Sequence, residues 1–210
     1  NSEDTDDTAC VVRVHAAGLS TLAGLLSKVS YAPYLDKVAQ RLGCLLCDAV
    51  VAGRVDSHSY LLAAFRSFVR CHPSLRAPFY QAQGLEKLYA CLSLNEDIGR
   101  GVFAAEAICL LAVADVRAEY GLEISVDLTQ HFVQEATFNA IRMLVQLIQK
   151  TRQPQVLATY VRAIGALGRS TSLWAMIDVE NGLYSLVRLL SSAEACVVAA
   201  ASMALSDLWG

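Results

Sequence analysis

A pair of apolar helices recurs four times along this 210-residue chain, and this recurrence limits the folds that the chain can adopt. Each copy opens with large apolar residues at the i, i+3, i+4, i+7 spacing of a one-sided helix. These four stripes begin at Leu19, Leu85, Ile141 and Leu183. A second apolar helix follows each stripe at a nearly constant distance of 22 or 23 residues, marked by Leu42, Ile108, Ile164 and Leu205. Two helices bury little alone, so the repeats are predicted to stack into one continuous core.

The last copy shows the pattern most clearly. Asn181-Gly182 is predicted to end the preceding helix, and the stripe at Leu183 then begins a new one. A second helix is predicted from Ala195 to Trp209, with Gly210 at the position where glycine often follows a helix. The residues expected on its buried face are Val197, Val198, Ala201, Leu205 and Leu208.

Short helices are predicted ahead of the later stripes, which makes each repeat a unit of three helices. They span residues 75–83, 127–139 and 172–179. Phe79 and Ile177 each stand six residues ahead of their stripes, which indicates equivalent positions in two repeats. A further amphipathic helix within 57–72 is either a degenerate repeat or an inserted helix, and 114–125 is predicted to be irregular.

These elements predict one domain preceded by a short tail. Residues 1–10 contain four acidic residues and no apolar period, which is typical of a flexible, solvated segment. Residues 11–210 are assigned to a single repeat domain. Its repeats are placed at about 17–53, 74–114, 127–169 and 170–210, with the extra helical unit at 57–72.

Composition excludes several classes of protein. Hydrophobic residues make up 55% of the chain and charged residues 18%, so only the N-terminal tail is expected to be disordered. The net charge of −3 gives no reason to expect nucleic-acid binding. The longest apolar run, 102–113, is too short to span a membrane and contains Glu106.

Seven cysteines are scattered through apolar helical stretches, and their odd number argues against a complete disulfide framework. We expect buried free thiols in a reducing compartment, and hence a cytoplasmic protein. The chain begins without methionine and without a visible signal peptide. Targeting or membrane-anchoring segments outside these residues therefore stay an open alternative.

No combination of residues predicts catalysis, a cofactor or a metal site. Cys44 and Cys47 have CxxC spacing, but they lie in an apolar helix without a second such pair, which favours packing over zinc or redox chemistry. The glycines before the stripes belong to no phosphate-binding pattern, and no nucleophile elbow is present. We therefore predict that the protein is not an enzyme.

The last copy resembles an armadillo repeat. Its residues 182–192 read GLYSLVRLLSS and its residues 197–208 read VVAAASMALSDL. They are similar to the family pattern of a glycine before the second helix and an Ala-Leu pair in the third. The other copies match more loosely, and the resemblance covers most of residues 17–210. It implies an all-α, right-handed α-solenoid whose third helices line a concave groove that binds extended peptides or partner domains.

The armadillo nuclear-import receptors allow a sharper comparison, because their groove carries a Trp and an Asn four residues apart on successive third helices. The equivalent Trp positions here are Gln40, Glu106, Arg162 and Met203. The equivalent Asn positions are Cys44, Leu110, Ala166 and Asp207. None matches, so recognition of nuclear-localisation peptides in that way is not expected. Since a spacing of four keeps each pair on one helical face, these eight residues are the predicted partner-binding groove. The alternative is that several of them, Leu110 and Ala166 especially, are packing residues.

The predicted function is that of a non-catalytic protein-interaction scaffold or adaptor that binds a peptide or helical segment of another protein in this groove. One alternative is an armadillo-type chaperone regulator that acts as a nucleotide-exchange factor. Another is a membrane-tethered armadillo-only adaptor with its lipid signal upstream of residue 1. The C-terminal helix offers Val198, Met203 and Trp209 without a later repeat to cover them. We therefore expect either further chain or an oligomer or partner contact at this end.

Overall fold

The computed structural model describes residues 17–18, 21, 58–68, 79–80, 83–92, 98–119, 135–169 and 171–209. The acidic tail and nearly all of the repeat predicted at 17–53 lie outside these residues. The chain divides into two compact units. The first comprises Asn1–Leu88 with Glu123–Val126, and the second comprises Tyr89–Leu122 with Asp127–Gly210. The prediction of one domain over 11–210 stays a prediction.

The part of the chain that the structure describes is all-α and contains no strand. Eight helices have defined bounds within it. They are α1 (His58–Phe68), α2 (Gly84–Ala90), α3 (Ile98–Glu119), α4 (Glu135–Lys150), α5 (Pro154–Gly168), α6 (Thr171–Val179), α7 (Gly182–Leu189) and α8 (Ala195–Trp209).

Three of the predicted helices appear where the sequence placed them. The amphipathic helix within 57–72 is α1, the short helix at 172–179 is α6, and the helix from Ala195 to Trp209 is α8. Their boundaries follow local signals such as Asn181-Gly182.

Two predicted boundaries are wrong. Helix α3 continues to Glu119 instead of ending before residue 114, and α4 begins at Glu135 and runs through the expected break after Asn139. Neither stretch contains a proline or glycine that would stop a helix, since the next glycine after α3 is Gly121. Thr137 also lies inside α4 and is fully buried, where its hydroxyl is 3.1 Å from the hydroxyl of Tyr89. Because a buried hydroxyl needs a hydrogen-bond partner, this contact holds the first turn of α4 in the core.

Two aromatic rings meet among the buried residues that are described in the first unit. Leu61 and Phe65 are buried on one face of α1. The ring of Phe65 meets the ring of Phe79 edge to face, with their centroids 5.5 Å apart. Such perpendicular contacts add about 0.5–1.5 kcal/mol to the gain from burying apolar area.

The core of the second unit centres on α5. This helix packs against α3, α4, α6 and α8, and from Ala158 to Gly168 only Arg162 is exposed. Helix α7 packs against α8 and α4, and α6 also contacts α4 and α7. The stripe of α4, at Ile141, Leu144, Val145 and Ile148, is buried as its spacing predicts. In the stripe of α7, by contrast, only Leu186 is fully buried, while Val187 and Leu190 are exposed.

Small residues bring α5 and α8 close together. A Cβ added to Gly165 would lie only 2.6 Å from the Cα of Ala204, and one added to Gly168 would overlap the side chain of Leu208. The buried face of α8 accordingly consists of Val197 and three alanines at 200, 201 and 204. The prediction of which residues form the buried face of α8 is therefore only partly correct. The larger residues Val198, Leu205 and Leu208 are half-buried, because the close approach occurs along the alanine side of the helix.

The turn before each second helix has the same geometry in two repeats. Gln83 and Asn181, which directly precede Gly84 and Gly182, both adopt a left-handed backbone conformation with φ of 58° and 62°. A Cβ on Gly84 would overlap the Phe79 ring, and one on Gly182 would lie 2.6 Å from Cγ2 of Ile177. These glycines therefore let the first helix of the repeat approach the second. The equivalence of Phe79 and Ile177, predicted from their spacing, is confirmed.

Candidate partner-binding surface

Three helices that the sequence assigns to the third position of successive repeats are adjacent in the second unit. Helix α5 lies between α3 and α8 and packs against both. The predicted groove residues fall on these helices in pairs. Glu106 and Leu110 lie on α3, Arg162 and Ala166 on α5, and Met203 and Asp207 on α8. The remaining two, Gln40 and Cys44, lie outside the described residues.

The six described residues differ in accessibility. Arg162 is exposed and Met203 is 60% exposed, so both side chains are available to a partner. Glu106, Leu110 and Asp207 are half-buried. Ala166 is only 2% exposed. Its methyl group belongs to the packing between helices, which is the alternative that the sequence left open for this position.

Charged residues associated with all three helices influence the pKa of one thiol, that of Cys109. Cys109, on α3, is half-buried, and burial is the main cause that raises the pKa of its thiol. Arg162 and Arg169 act in the opposite direction and lower this pKa, whereas Asp207 and Glu106 raise it. All four charges therefore act on one thiol, and two of them, Arg169 and Asp207, are also joined by a 2.7 Å ion pair.

Sequence reasoning missed two residues of this cluster, Cys109 and Arg169. Both could have been found from helical spacing. Cys109 follows Glu106 by three residues on α3, and Arg169 follows Arg162 by seven, so each lies on the same helical face as a predicted residue. The prediction used only the two positions at which the import receptors carry Trp and Asn.

The orientation of Arg162 is fixed by its own helix. Its Nη2 atom donates a hydrogen bond to the hydroxyl of Thr159 at 3.0 Å. That hydroxyl in turn donates to the backbone oxygen of Gln155 at 3.2 Å. A guanidinium carries five N–H donors, so this arrangement leaves most of them for other acceptors.

Only part of the charge in the cluster is neutralised internally. Arg169, directly after α5, forms an ion pair with Asp207 on α8, with 2.7 Å between Nη2 and Oδ1. Both side chains are partly buried. In the described part of the chain, neither Glu106 nor Arg162 forms an ion pair. Within the described residues, the surface therefore presents an acid on α3 and a base on α5 without charged partners, and the exposed side chain of Met203 lies on the next helix, α8. We call the six residues Glu106, Cys109, Arg162, Arg169, Met203 and Asp207 the third-helix surface.

The described residues contain no group of three or more His, Cys, Asp or Glu side chains that could hold a metal ion. Among the helices that can be described, none is both long enough and apolar enough to cross a membrane.

No protein-family model matches the sequence, and no curated protein matches it either. Several solved structures, however, are similar to the chain. A computationally designed armadillo repeat protein for modular peptide recognition superposes with a TM-score of 0.61 at 19% identity, covering 99% of this chain and 78% of the other. A second designed armadillo repeat protein gives a TM-score of 0.57 at 17% identity, with 99% and 96% covered. The chain has an armadillo-like repeat fold.

A further engineered protein matches the armadillo-like chain with a TM-score of 0.63 at 18% identity, covering 100% of this chain and 92% of the other. Identities this low establish the fold and nothing more specific. The resemblance drawn from Gly182 and the following helices is thereby confirmed at the level of the armadillo-like fold. That α3, α5 and α8 are the third helices of their repeats stays a prediction from their spacing.

Proposed function

We propose that the protein is a non-catalytic scaffold that binds a peptide or a helical segment of another protein on the third-helix surface. One observation carries this proposal. On the adjacent helices α3 and α5, Glu106 and Arg162 lack ion-pair partners among the described residues, while Arg169 and Asp207 form an ion pair that links α5 to α8. A similar fold has been designed for modular peptide recognition, which is compatible with this use of the surface.

The chemistry of the surface favours a segment with both signs of charge. A ligand that crosses from α3 to α8 meets the carboxylate of Glu106, then the guanidinium of Arg162, then the apolar side chain of Met203. Complementary charges on the ligand would fix its register and direction, whereas like charges would be repelled. The thioether of Met203 adapts to apolar side chains of different shapes. The expected ligand therefore carries a basic, an acidic and an apolar residue in that order.

The proposal also includes the cellular compartment of the protein and the class of its partner. A reducing, cytoplasmic location fits the odd number of cysteines, of which Cys109 and Cys196 are free thiols in the described part of the chain. Nucleic acid is not a proposed partner, because the net charge is −3 and the third-helix surface mixes both signs. The chaperone-regulator and membrane-adaptor alternatives stay predictions.

Selection from a random peptide library displayed on phage tests this function and identifies the sequence of a ligand at the same time. The purified protein is the bait, and the affinities of the selected peptides are measured by fluorescence anisotropy. Glu106→Lys and Arg162→Glu should each raise the dissociation constant about tenfold or more, because each reverses a charge that faces the ligand. Arg152→Glu is the matched control, since Arg152 is exposed between α4 and α5 and outside the third-helix surface.

Two outcomes would contradict the proposal. One is that selection yields no peptide with measurable affinity. The other is that the selected peptides bind the two surface variants as tightly as they bind the parent protein. Circular dichroism spectra of all variants establish that the helices are intact, so a loss of affinity is assigned to the surface and not to unfolding.

A further inference from the structure

One buried hydroxyl group contacts an exposed charge of the third-helix surface. Thr159 is buried in α5 and only 5% exposed, whereas Arg162, about one turn later in the same helix, is exposed. Nη2 of Arg162 donates a hydrogen bond to Oγ1 of Thr159 at 3.0 Å. A buried group with a fixed position therefore holds the end of an exposed, flexible side chain.

The hydroxyl of Thr159 acts toward Arg162 as an acceptor alone. Its single hydrogen is donated to the backbone oxygen of Gln155 at 3.2 Å, one turn earlier in α5. The same bond selects one of the two rotamers that threonine adopts in a helix. The lone pairs of Oγ1 are thus left for the guanidinium, which has donors and no acceptor.

Neither side chain needs this contact in order to be hydrogen-bonded. The buried hydroxyl of Thr159 already has the Gln155 oxygen as its partner. The exposed guanidinium of Arg162 can exchange a protein acceptor for water at little net cost. The main consequence of the contact is therefore the direction of Arg162, and its contribution to the stability of α5 is small.

The contact leaves one complete binding edge on Arg162. A guanidinium offers two pairs of parallel N–H donors, one from Nη1 with Nη2 and one from Nε with Nη2. Nη2 has two hydrogens, and each belongs to a different pair. Whichever hydrogen Thr159 accepts, the other pair stays intact. In the described part of the chain no carboxylate forms an ion pair with Arg162, so this pair can bind a ligand.

The arrangement is specific to one of the three adjacent helices. Glu106 on α3 has Phe103 three residues earlier, and Met203 on α8 has Ala200 there, where α5 has Thr159. Neither phenylalanine nor alanine has a side-chain acceptor. Of these three positions of the third-helix surface, only that of Arg162 has a hydroxyl beneath it to orient the side chain.

An arginine that is already held in place loses less rotamer freedom when a ligand binds. Paired N–H donors also match the two oxygens of a carboxylate, which adds geometric selectivity to the attraction between opposite charges. We propose that Thr159 is a positioning residue, which holds Arg162 so that its intact edge binds a ligand carboxylate in bidentate fashion. The third-helix surface then selects an aspartate or glutamate at this point of the ligand. This inference rests on the proposed function, since it names what one residue of the same surface recognises.

Peptide affinities test the selectivity. A peptide selected against the parent protein is synthesised with an amidated C-terminus, and again with each Asp or Glu replaced by its amide. Thr159→Val should raise the dissociation constant of the acidic peptide about three- to tenfold and leave that of the amide peptide unchanged. Arg162→Lys keeps the charge but loses the paired donors, so it should have the same selective effect.

Two further variants act as controls. Thr159→Ser retains the hydroxyl and should bind the acidic peptide like the parent protein. Thr137→Val removes the hydroxyl of another buried helical threonine, which contacts Tyr89 and lies outside the third-helix surface. It should leave both affinities unchanged. Circular dichroism identifies any variant that does not fold, and Thr159→Ala replaces Thr159→Val in that case.

Nuclear magnetic resonance measures the positioning without any ligand. The Nε–H signal of Arg162 is assigned by its loss in Arg162→Lys, and its heteronuclear NOE reports the rigidity of the side chain on the picosecond to nanosecond timescale. This NOE should decrease in Thr159→Val and stay unchanged in Thr137→Val. An unchanged NOE in Thr159→Val overturns the positioning role, whatever the peptides show.

The proposed function and the positioning role fail in different ways. If no peptide binds the parent protein, the proposed function is wrong and the selectivity inferred here is overturned with it. If peptides bind but Thr159→Val weakens the acidic and amide versions equally, or weakens neither, the positioning role alone is overturned. If Arg162→Lys binds the acidic peptide as tightly as the parent protein does, recognition depends on charge only, and bidentate binding is overturned.

Discussion

At the scale of single residues, the turn before the second helix combines two conformational requirements. The residue before the glycine has a positive φ, which costs an ordinary L-residue about 1–2 kcal/mol, and the glycine itself must lack a Cβ. Asn181 tolerates this conformation better than Gln83 does, because asparagine visits the left-handed region more readily. The two junctions are otherwise alike, since each accepts a backbone hydrogen bond from the residue four positions later.

Replacing Gln83 by glycine should stabilise the protein. Relief of the left-handed conformation outweighs the greater freedom that glycine gives to the unfolded chain, so we expect the unfolding free energy to rise by about 0.5 kcal/mol. Urea denaturation measures this change. Asn181→Gly is the comparison and should have a smaller effect. A decrease in stability for Gln83→Gly would mean that its side chain contributes more than its backbone costs.

Two buried acidic groups should make stability depend on alkaline pH. Burial raises the pKa of the Cys109 thiol and of the Tyr160 hydroxyl above their ordinary values. The folded protein therefore holds both protons more tightly than the unfolded chain does. This contribution to stability is complete below the unfolded pKa values and is lost as the pH rises through the folded ones.

The unfolding free energy should accordingly fall as the pH increases through the alkaline range. Cys109→Ala and Tyr160→Phe should each make this decline less steep, because each removes one group that titrates differently in the two states. Urea denaturation at a series of alkaline pH values measures the slope. Slopes identical to that of the parent protein would show that these two groups titrate alike in the folded and unfolded states.

At the scale of helices, the contact between α5 and α8 depends on the absence of side-chain atoms. Gly165→Ala should lower the unfolding free energy by about 1–3 kcal/mol, the usual range for overpacking, because its new methyl group would meet the backbone of Ala204. Thermal or urea unfolding provides the measurement. Gly18→Ala is the matched control. Gly18 is helical and exposed, with nothing within 4 Å of an added Cβ, so this variant should be neutral or slightly stabilising.

Equal stabilities for the two alanine variants would contradict this account. They would mean that α8 moves away from α5 at little cost, and that the glycine does not set the separation of the helices.

The helices also show where sequence patterns suffice. Stripes of leucine and isoleucine predict the burial of Ile141 and Leu144, and Asn181-Gly182 marks the start of α7. Patterns fail where tertiary contacts determine where a helix begins. An example is α4, whose first turn is held by the contact between Tyr89 and Thr137. They fail again at Val187, which has the correct spacing for burial but is 51% exposed, because no helix in the described part of the chain covers it.

The candidate site was predictable to a similar degree. Alignment of the repeats put Glu106, Arg162 and Asp207 on the adjacent helices α3, α5 and α8, where the structure has them, whereas their role in binding stays a prediction. The ion pair between Arg169 and Asp207 was not predictable, because it joins residues on different helices whose separation depends on the packing of α5 against α8.

At the scale of the whole molecule, the described packing between helices is centred on α5, in the second unit. Nearly every residue of this helix from Ala158 to Gly168 is buried, and four other helices pack against it. The third-helix surface belongs to this unit as well.

Hydrogen exchange should show this distribution directly. We expect the backbone amides of α5 to exchange more slowly than those of α7, because amides in a fully packed helix exchange only through large-scale unfolding. Mass spectrometry of peptic fragments after deuterium labelling provides the measurement. Faster exchange in α5 than in α7 would show that burial along α5 does not determine local stability.

The glycines at 165 and 168 also matter to anyone who wishes to build a chimera from this protein. The segment 171–209 now docks with Ala204 and Leu208 against these two positions, where an added Cβ would overlap them. Transplanted onto another array of repeats, the same segment would need small residues at the two equivalent positions of its new neighbour. A recipient helix with large residues there would hold α8 farther away and leave part of its alanine side uncovered.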